Sequence, residues 1–262
     1  MSDSKTIQFP DSRIATNDVC AVGLNKHHIA AMIEIDVTKS REKIKSDQLE
    51  NRNISFTAWL VKTISITVKE YENVAAYLKG KRNLIVFNDI NVSILVEKEI
   101  KGHSVPIPLI INKANERSIE SIANQINEAR KQPLTKNDLV LEKKSNRLQQ
   151  LYFRMPGFIR RFFWRYLLHH PQLAFNNMGN VGITSVGMIG HVNGWFIPIS
   201  VHPICFGIGR ITKKPIVIED SIVIREVLNM TVLLDHDVVD GAQMARFISK
   251  LTENIENGEG LF

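Results

Sequence analysis

Cysteine is nearly missing from this sequence. Two residues, Cys20 and Cys205, stand in 262, and neither belongs to a Cys-x-x-Cys pair. Two cysteines make no disulfide framework, so each is expected to be a small buried hydrophobe in a reducing compartment. Long apolar runs are missing as well. The best candidate, residues 195–211, is broken by Pro198, His202 and Pro203 and cannot cross a bilayer. The chain opens MSDSKTIQFPDS, without the basic start and apolar run of a secretory leader, and the expectation is a soluble cytoplasmic protein. There is no internal repeat and no low-complexity tract. The glycine-rich run at 179–190, GNVGITSVGMIG, is neither GxxxxGK[ST] nor a GxGxxG after a clear strand, so no phosphate loop is read there. The histidines at 27, 28, 169, 170, 191 and 202 lack a metal-ligand spacing such as HExxH, and no metal site is expected.

What is present suits a globular chain. Hydrophobic residues make up 44% and charged residues 23%, enough to bury a sizeable core in one large domain or two small ones. The formal net charge is +6, which favours anionic partners: nucleic acid, a membrane surface, or the phosphates of a nucleotide-bearing cofactor. The excess is partly local. Residues 143–165 hold seven lysines and arginines and no acid, while the rest is close to balanced.

Elements of both kinds alternate. Strands are expected at 30–36, 83–87, 91–96 and 105–111, the last marked as an edge or exit by its prolines. A polar helix is expected at 38–49. A second, over 55–71, has Phe56, Leu60, Ile64 and Val68 at helical spacing and a Ser or Thr to cap it. A third, at 118–130, has Ser118 as its cap and Ile119, Ile122, Ala123 and Ile126 as its core face. An aromatic, arginine-rich amphipathic helix begins at Phe158. Short strands follow at 182–186, 195–199, 204–211, 216–217 and 229–234, before a terminal helix at 241–255. The pattern is mixed α and β, with a sheet rich in nonconsecutive strands.

One segment carries chemistry: Asp235-His236-Asp237-Val238-Val239-Asp240-Gly241, between a strand and a helix. A histidine at a strand end is held rigidly and can face a cleft, and imidazole exchanges a proton near neutral pH. Asp240, at the helix start, benefits from the dipole and can lock the turn through backbone N–H groups or an arginine. Gly241 is expected to supply a close backbone approach or an unusual dihedral. On the motif alone, a catalytic histidine and a satisfied polar group are about equally good readings.

The chain as a whole resembles the acyltransferase core of the 2-oxo acid dehydrogenase complexes, and it shares HxxxDG with chloramphenicol acetyltransferase. The resemblance runs through residues 12–15, His28, 34–38, 56–62 (FTAWLVK), 105–111, the helix at 118, 181–190 (VGITSVGMIG) and 235–241. It implies a single catalytic domain over 1–262, an α/β (α+β) fold of the chloramphenicol acetyltransferase type with a mixed sheet flanked by helices, and trimers with active sites at subunit interfaces. It implies coenzyme A or acyl-CoA as substrate, His236 as general base, and a hydroxyl at Thr184 for the oxyanion, with Ser185 and Gly187 as the adjoining substrate-binding positions. It makes Asp240 a structural partner of Arg13, with Gly241 beside it.

Departures from the family qualify these expectations. Asp237 stands directly after the histidine, where the complex-forming enzymes carry arginine. The chain starts almost at the core, so it carries no lipoyl group of its own, and a separate lipoyl or acyl carrier protein, or another small acceptor, is implied. The stretch 135–180 is an atypical basic, aromatic insertion. Its 148–170 part suits a helix packed at a subunit interface first, then a membrane-surface helix, a lid over an acyl pocket or a dock for an acidic carrier; nucleic acid is not expected. The alternatives to catalysis are a noncatalytic trimeric scaffold and a membrane- or carrier-associated module built on that helix.

Overall fold

A computed structural model describes residues 4–6, 11–50, 52–100, 103–131, 151–152, 154–187 and 192–261; the side chains of 11, 12, 98–100 and 103–105 lie outside that description. The described residues form α1 (Asp11–Gly23), β1 (His28–Asp36), α2 (Thr38–Leu49), α3 (Phe56–Glu70), β2 (Tyr77–Lys79), β3 (Asn83–Ile85), β4 (Val92–Ile100), β5 (His103–Ile111) and α4 (Ile119–Lys131). Within the expected insertion lie α5 (Gly157–His169) and α6 (Pro171–Met178), and after it come β6 (Val181–Ser185), β7 (Ile204–Ile218), β8 (Ser221–Asp235) and α7 (Gly241–Glu256). Part of the expected insertion, residues 135–150 and 153, lies outside the described residues.

The main sheet has the order β1-β8-β7-β6-β4-β5. Its β4–β6 and β6–β7 pairs are parallel and the others antiparallel, so the sheet is mixed, as the resemblance implies. β5 is an edge strand, which accommodates Pro106 and Pro108. β2 and β3 form a separate two-stranded ladder.

The helices over the sheet follow from their apolar faces. α4 buries Ile119, Ile122, Ala123 and Ile126, and α7 buries Phe247, Leu251 and Ile255. α3 is buried on more than one face, with Trp59, Leu60, Val61, Ile64 and Val68 all inside. Ser55 caps it by accepting from the Ala58 N–H at 3.2 Å. Its buried hydroxyls are satisfied locally, since Thr63, Ser65 and Thr67 donate to the carbonyls of Trp59, Val61 and Thr63 one turn back. A smaller cluster of Tyr77, Leu167, Ala174, Phe175, Met178 and Val201 ties α5 and α6 to the main body.

Two expectations are corrected. Residues 195–199 form no strand; Trp195 instead donates its ring N–H to the Ile33 carbonyl of β1 at 3.0 Å. The runs at 204–211 and 216–217 are one strand, β7, and the run at 229–234 is the end of the equally long β8. Beyond Ile208 no β6 residue pairs with β7. β1 still flanks β8 as far as Val227; from Lys213 and Glu226 onward β7 and β8 continue as a two-stranded arm whose turn residues Glu219 and Asp220 have φ 46° and 62°. The arm's end carries exposed Val217, Ile222 and Ile224.

Gly179 is where β6 is set in place. Its φ is +75° and its ψ −175°, a conformation for glycine, and a Cβ there would stand 2.3 Å from the Asn91 carbonyl oxygen. That oxygen already accepts from the N–H groups of Asn180 and Val181, at 3.0 and 3.2 Å, so it has little freedom to retreat. Gly179→Ala is expected to cost at least about 3 kcal/mol of stability, read as a lowered urea midpoint.

Candidate functional site

The residues at 235–241 close the gap between β8 and α7. Asp235 ends the strand opposite His28 of β1, and its N–H donates to the Pro203 carbonyl at 3.0 Å. The two residues before β1 then clip three consecutive residues of the turn. The Lys26 ammonium meets the buried Asp235 carboxylate at 2.5 Å. The His27 carbonyl accepts from the His236 N–H at 3.0 Å. The His27 ring lies 2.9 Å from the Asp237 carboxylate. Asp235 also accepts from the Asp237 N–H at 3.3 Å. The backbone of His236 is therefore fixed from both sides while its side chain remains exposed. Asp237, the residue that departs from the family pattern, is the partner of His27. That hydrogen bond, with the carboxylate's charge, raises the His27 pKa above its ordinary value.

Behind this turn lies a half-buried imidazole pair. The His28 ring bonds the His202 carbonyl at 2.9 Å, and the His202 ring bonds the Met178 carbonyl at 3.0 Å and faces the Ser200 hydroxyl at 3.1 Å. Burial lowers the pKa of His28 and pushes that of His202 down to about 4, so both are neutral at neutral pH. Burial likewise pushes the Cys205 thiol up to about 11, which removes it as a nucleophile; Cys205 is the small buried hydrophobe expected, and Cys20 is partly buried.

Asp240 is the N-cap of α7, accepting from the Gln243 N–H at 2.8 Å. The described ion pairs do not join it to Arg13, which sits exposed on α1; the carboxylate is committed to the helix end instead. Gly241 also departs from expectation. Its φ is not positive and a Cβ there would meet nothing within 4 Å, so neither a close approach nor a special dihedral demands glycine within one chain.

Thr184 and Ser185 end β6, Thr184 half-buried opposite Gly207 and Ser185 exposed opposite Ile208. Gly187, just beyond, has a firm reason to be glycine: a Cβ would stand 2.0 Å from the Gly209 carbonyl oxygen of β7. The register separates these residues from His236. Leu234 pairs with Ile204 and Ile204 with Val181, so His236 lies beyond one end of β6 and Thr184 near the other. At the usual strand spacings the two are about 16 Å apart along the strands and about 10 Å across them. One chain does not bring the base and the hydroxyl together. Sequence reasoning did not find Lys26 and His27, whose partners are 209 and 210 residues away.

The family profile described as 2-oxoacid dehydrogenases acyltransferase (catalytic domain) matches residues 21–140 and 171–262. The chain belongs to this family. The matched blocks contain His236, Asp240 and Thr184, and they leave out the whole of α5. The lipoamide acyltransferase component of the branched-chain alpha-keto acid dehydrogenase complex of Bacillus subtilis is 27% identical over 241 residues, covering 88% of this chain and 47% of that protein. The dihydrolipoyllysine-residue acetyltransferase component of the pyruvate dehydrogenase complex of Mycoplasma pneumoniae is 28% identical over 209 residues, covering 79% and 42%. The chain thus spans about half the length of the curated relatives it matches. Among solved structures, a probable dihydrolipoamide acetyltransferase from Listeria monocytogenes superposes with a TM-score of 0.69 at 21% identity, over 98% of this chain and 96% of that one. Chloramphenicol acetyltransferase superposes at 0.51 with 8% identity, over 96% and 95%. The fold is the one the sequence resemblance implies.

Proposed function

We propose that the chain is a coenzyme-A-dependent acyltransferase that moves an acyl group between coenzyme A and a dihydrolipoyl-type thiol. The observation that carries this reading is the clipped turn: within a chain of an acyltransferase family, an exposed imidazole projects from a backbone held by Lys26, His27 and Asp235. Such fixation suits proton transfer, in which position is decided before pKa. A Dihydrolipoamide acetyltransferase from Azotobacter vinelandii has been investigated mechanistically at a serine, a histidine and an asparagine; there the last two are four residues apart, the spacing of His236 and Asp240 here.

In the reaction, the His236 imidazole takes the proton of the acceptor thiol as the thiol sulfur attacks the thioester carbonyl. A tetrahedral oxyanion forms, and the Thr184 hydroxyl donates to it, with Ser185 and Gly187 lining the substrate side. Collapse breaks the bond to the coenzyme A sulfur, and the proton held by His236 passes to that leaving thiolate. Because one chain keeps Thr184 far from His236, the reading requires two copies: His236 of one and Thr184 of the next, at the interface of a trimer. The thiol acceptor then arrives on a separate lipoyl or acyl carrier protein or as a small molecule. The buried Cys205 thiol fits a reducing, cytoplasmic setting.

The test is turnover of acetyl-CoA and longer or branched acyl-CoAs with dihydrolipoamide, followed by mass spectrometry of the acylated product. His236→Ala is expected to lose about 10²–10⁴-fold in rate, the contribution of positioned general-base catalysis. Equal turnover by variant and wild type would remove His236 from the mechanism. No turnover by the wild type with any acyl-CoA would favour a noncatalytic scaffold.

A further inference from the structure

The helix α5 has two unlike faces. The inner face is anchored: Arg160 pairs with the buried Asp18 of α1 at 2.6 Å, Tyr152 donates to the same carboxylate at 2.9 Å, and the Trp164 ring N–H donates to the Tyr152 hydroxyl at 3.0 Å. Leu167 is buried, and Trp164 and Leu168 pack on the smaller core cluster. The outer face is apolar and open. Phe158 and Phe162 are 69% and 70% exposed, and Phe163, Tyr166 and Ile159 are exposed beside them. At helical spacing these five side chains form one continuous stripe. The inner anchors prevent the helix from rolling this stripe inward.

Arg161 and Arg165 flank the stripe on one side, both exposed and in none of the described ion pairs. Neither α5 nor α6 contains an acid, and residues 143–165 contain none either. His169 and His170 turn their rings onto helix carbonyls at 2.7 Å. The face therefore offers rings and positive charge with few directional hydrogen-bonding groups.

We propose that the outer face of α5 docks on an anionic lipid bilayer surface. Aromatic side chains flanked by arginines match the chemistry of the membrane–water interface, where rings sit at headgroup level and guanidinium groups meet lipid phosphates. The helix, 13 residues long and so about 20 Å, is too short to cross a hydrocarbon core of about 30 Å, and it lies in the surface instead. A second copy of the same face is a poor occupant, because pairing would bring arginine to arginine with no carboxylate on either helix. The family profile skips residues 141–170, so the shared fold does not require this helix. The inference is independent of the acyltransferase reading.

The test is cosedimentation of the full chain with phosphatidylcholine vesicles, with and without phosphatidylglycerol. The wild type is expected to bind the anionic vesicles and to leave the neutral ones largely unbound. Phe158→Ser/Phe162→Ser is expected to weaken binding at least about tenfold by removing buried ring area. Arg161→Gln/Arg165→Gln is expected to weaken it about 25-fold, at about fivefold for each cation near an anionic surface. All four side chains are exposed, so circular dichroism should show both variants folded. Wild type that stays in the supernatant with anionic vesicles overturns the proposal, as does binding that both variants retain in full. A fall in oligomer mass on Phe158→Ser/Phe162→Ser without vesicle binding by the wild type would assign the face to a second copy. Capture on polyglutamate without vesicle binding would assign it to an acidic protein; either result also overturns it.

Discussion

Mixed assemblies of His236→Ala and Thr184→Ala chains are expected to regain activity that neither variant has alone. The expectation rests on the strand register, which sets His236 beyond one end of β6 and Thr184 near the other. Each homogeneous variant lacks one group at every site. His236→Ala loses the base, and Thr184→Ala loses an oxyanion donor, a change that typically costs about 10²–10³ in rate. When equal amounts of the two chains are unfolded and reassembled together, about a quarter of the interfaces join an intact His236 to an intact Thr184, one-half times one-half. Activity per site should return to about a quarter of wild type. No recovery from a mixture shown by mass spectrometry to contain mixed oligomers would mean that the two residues do not share a site across copies.

Lys26→Met is expected to be the most damaging substitution near the turn that does not touch His236 itself. The Asp235 carboxylate is 2% exposed and its cation is Lys26, at 2.5 Å. Removing one partner of a buried pair leaves an uncompensated charge, a loss of about 3 kcal/mol or more. The urea midpoint should fall accordingly. Lys26→Met/Asp235→Leu should recover much of that stability, because replacing both charges with apolar groups is often near neutral. Turnover should not recover with it. Asp235 also holds the Asp237 N–H, so the double variant lets the His236 turn drift, and a misplaced base costs about tenfold or more in rate. Full activity in the double variant would show that the ion pair serves stability alone.

Much of the architecture was legible because it is written in local periodicity. The core stripes of α4 and α7 and the cap of α3 follow from residue spacing within single helices, and the prolines of β5 mark an edge that the sheet order bears out. The arm of β7 and β8 was not legible. Pro215 reads as a break, yet β7 has no β6 neighbour there, so the missing N–H costs no ladder bond on that side. The turn at Glu219 and Asp220 adopts positive φ without the glycine that usually announces it. At the candidate site, His236 and Asp240 were legible as a motif between strand and helix. Lys26 and His27 were not, since no pattern in one stretch reveals a partner more than two hundred residues away. The expected roles of Gly241 and Arg13 asked of one chain contacts that it does not make.

The arm has a consequence for how the protein reaches its working form. Val217, Ile222 and Ile224 remain in water when a single chain has completed its own fold. If copies meet to share sites, folding and assembly are one process, and the free energy that holds each chain together depends on how many others are present. Dilution then acts as a denaturant does. A newly made chain is most at risk of adhering to the wrong surface while its arm has no neighbour to lie against.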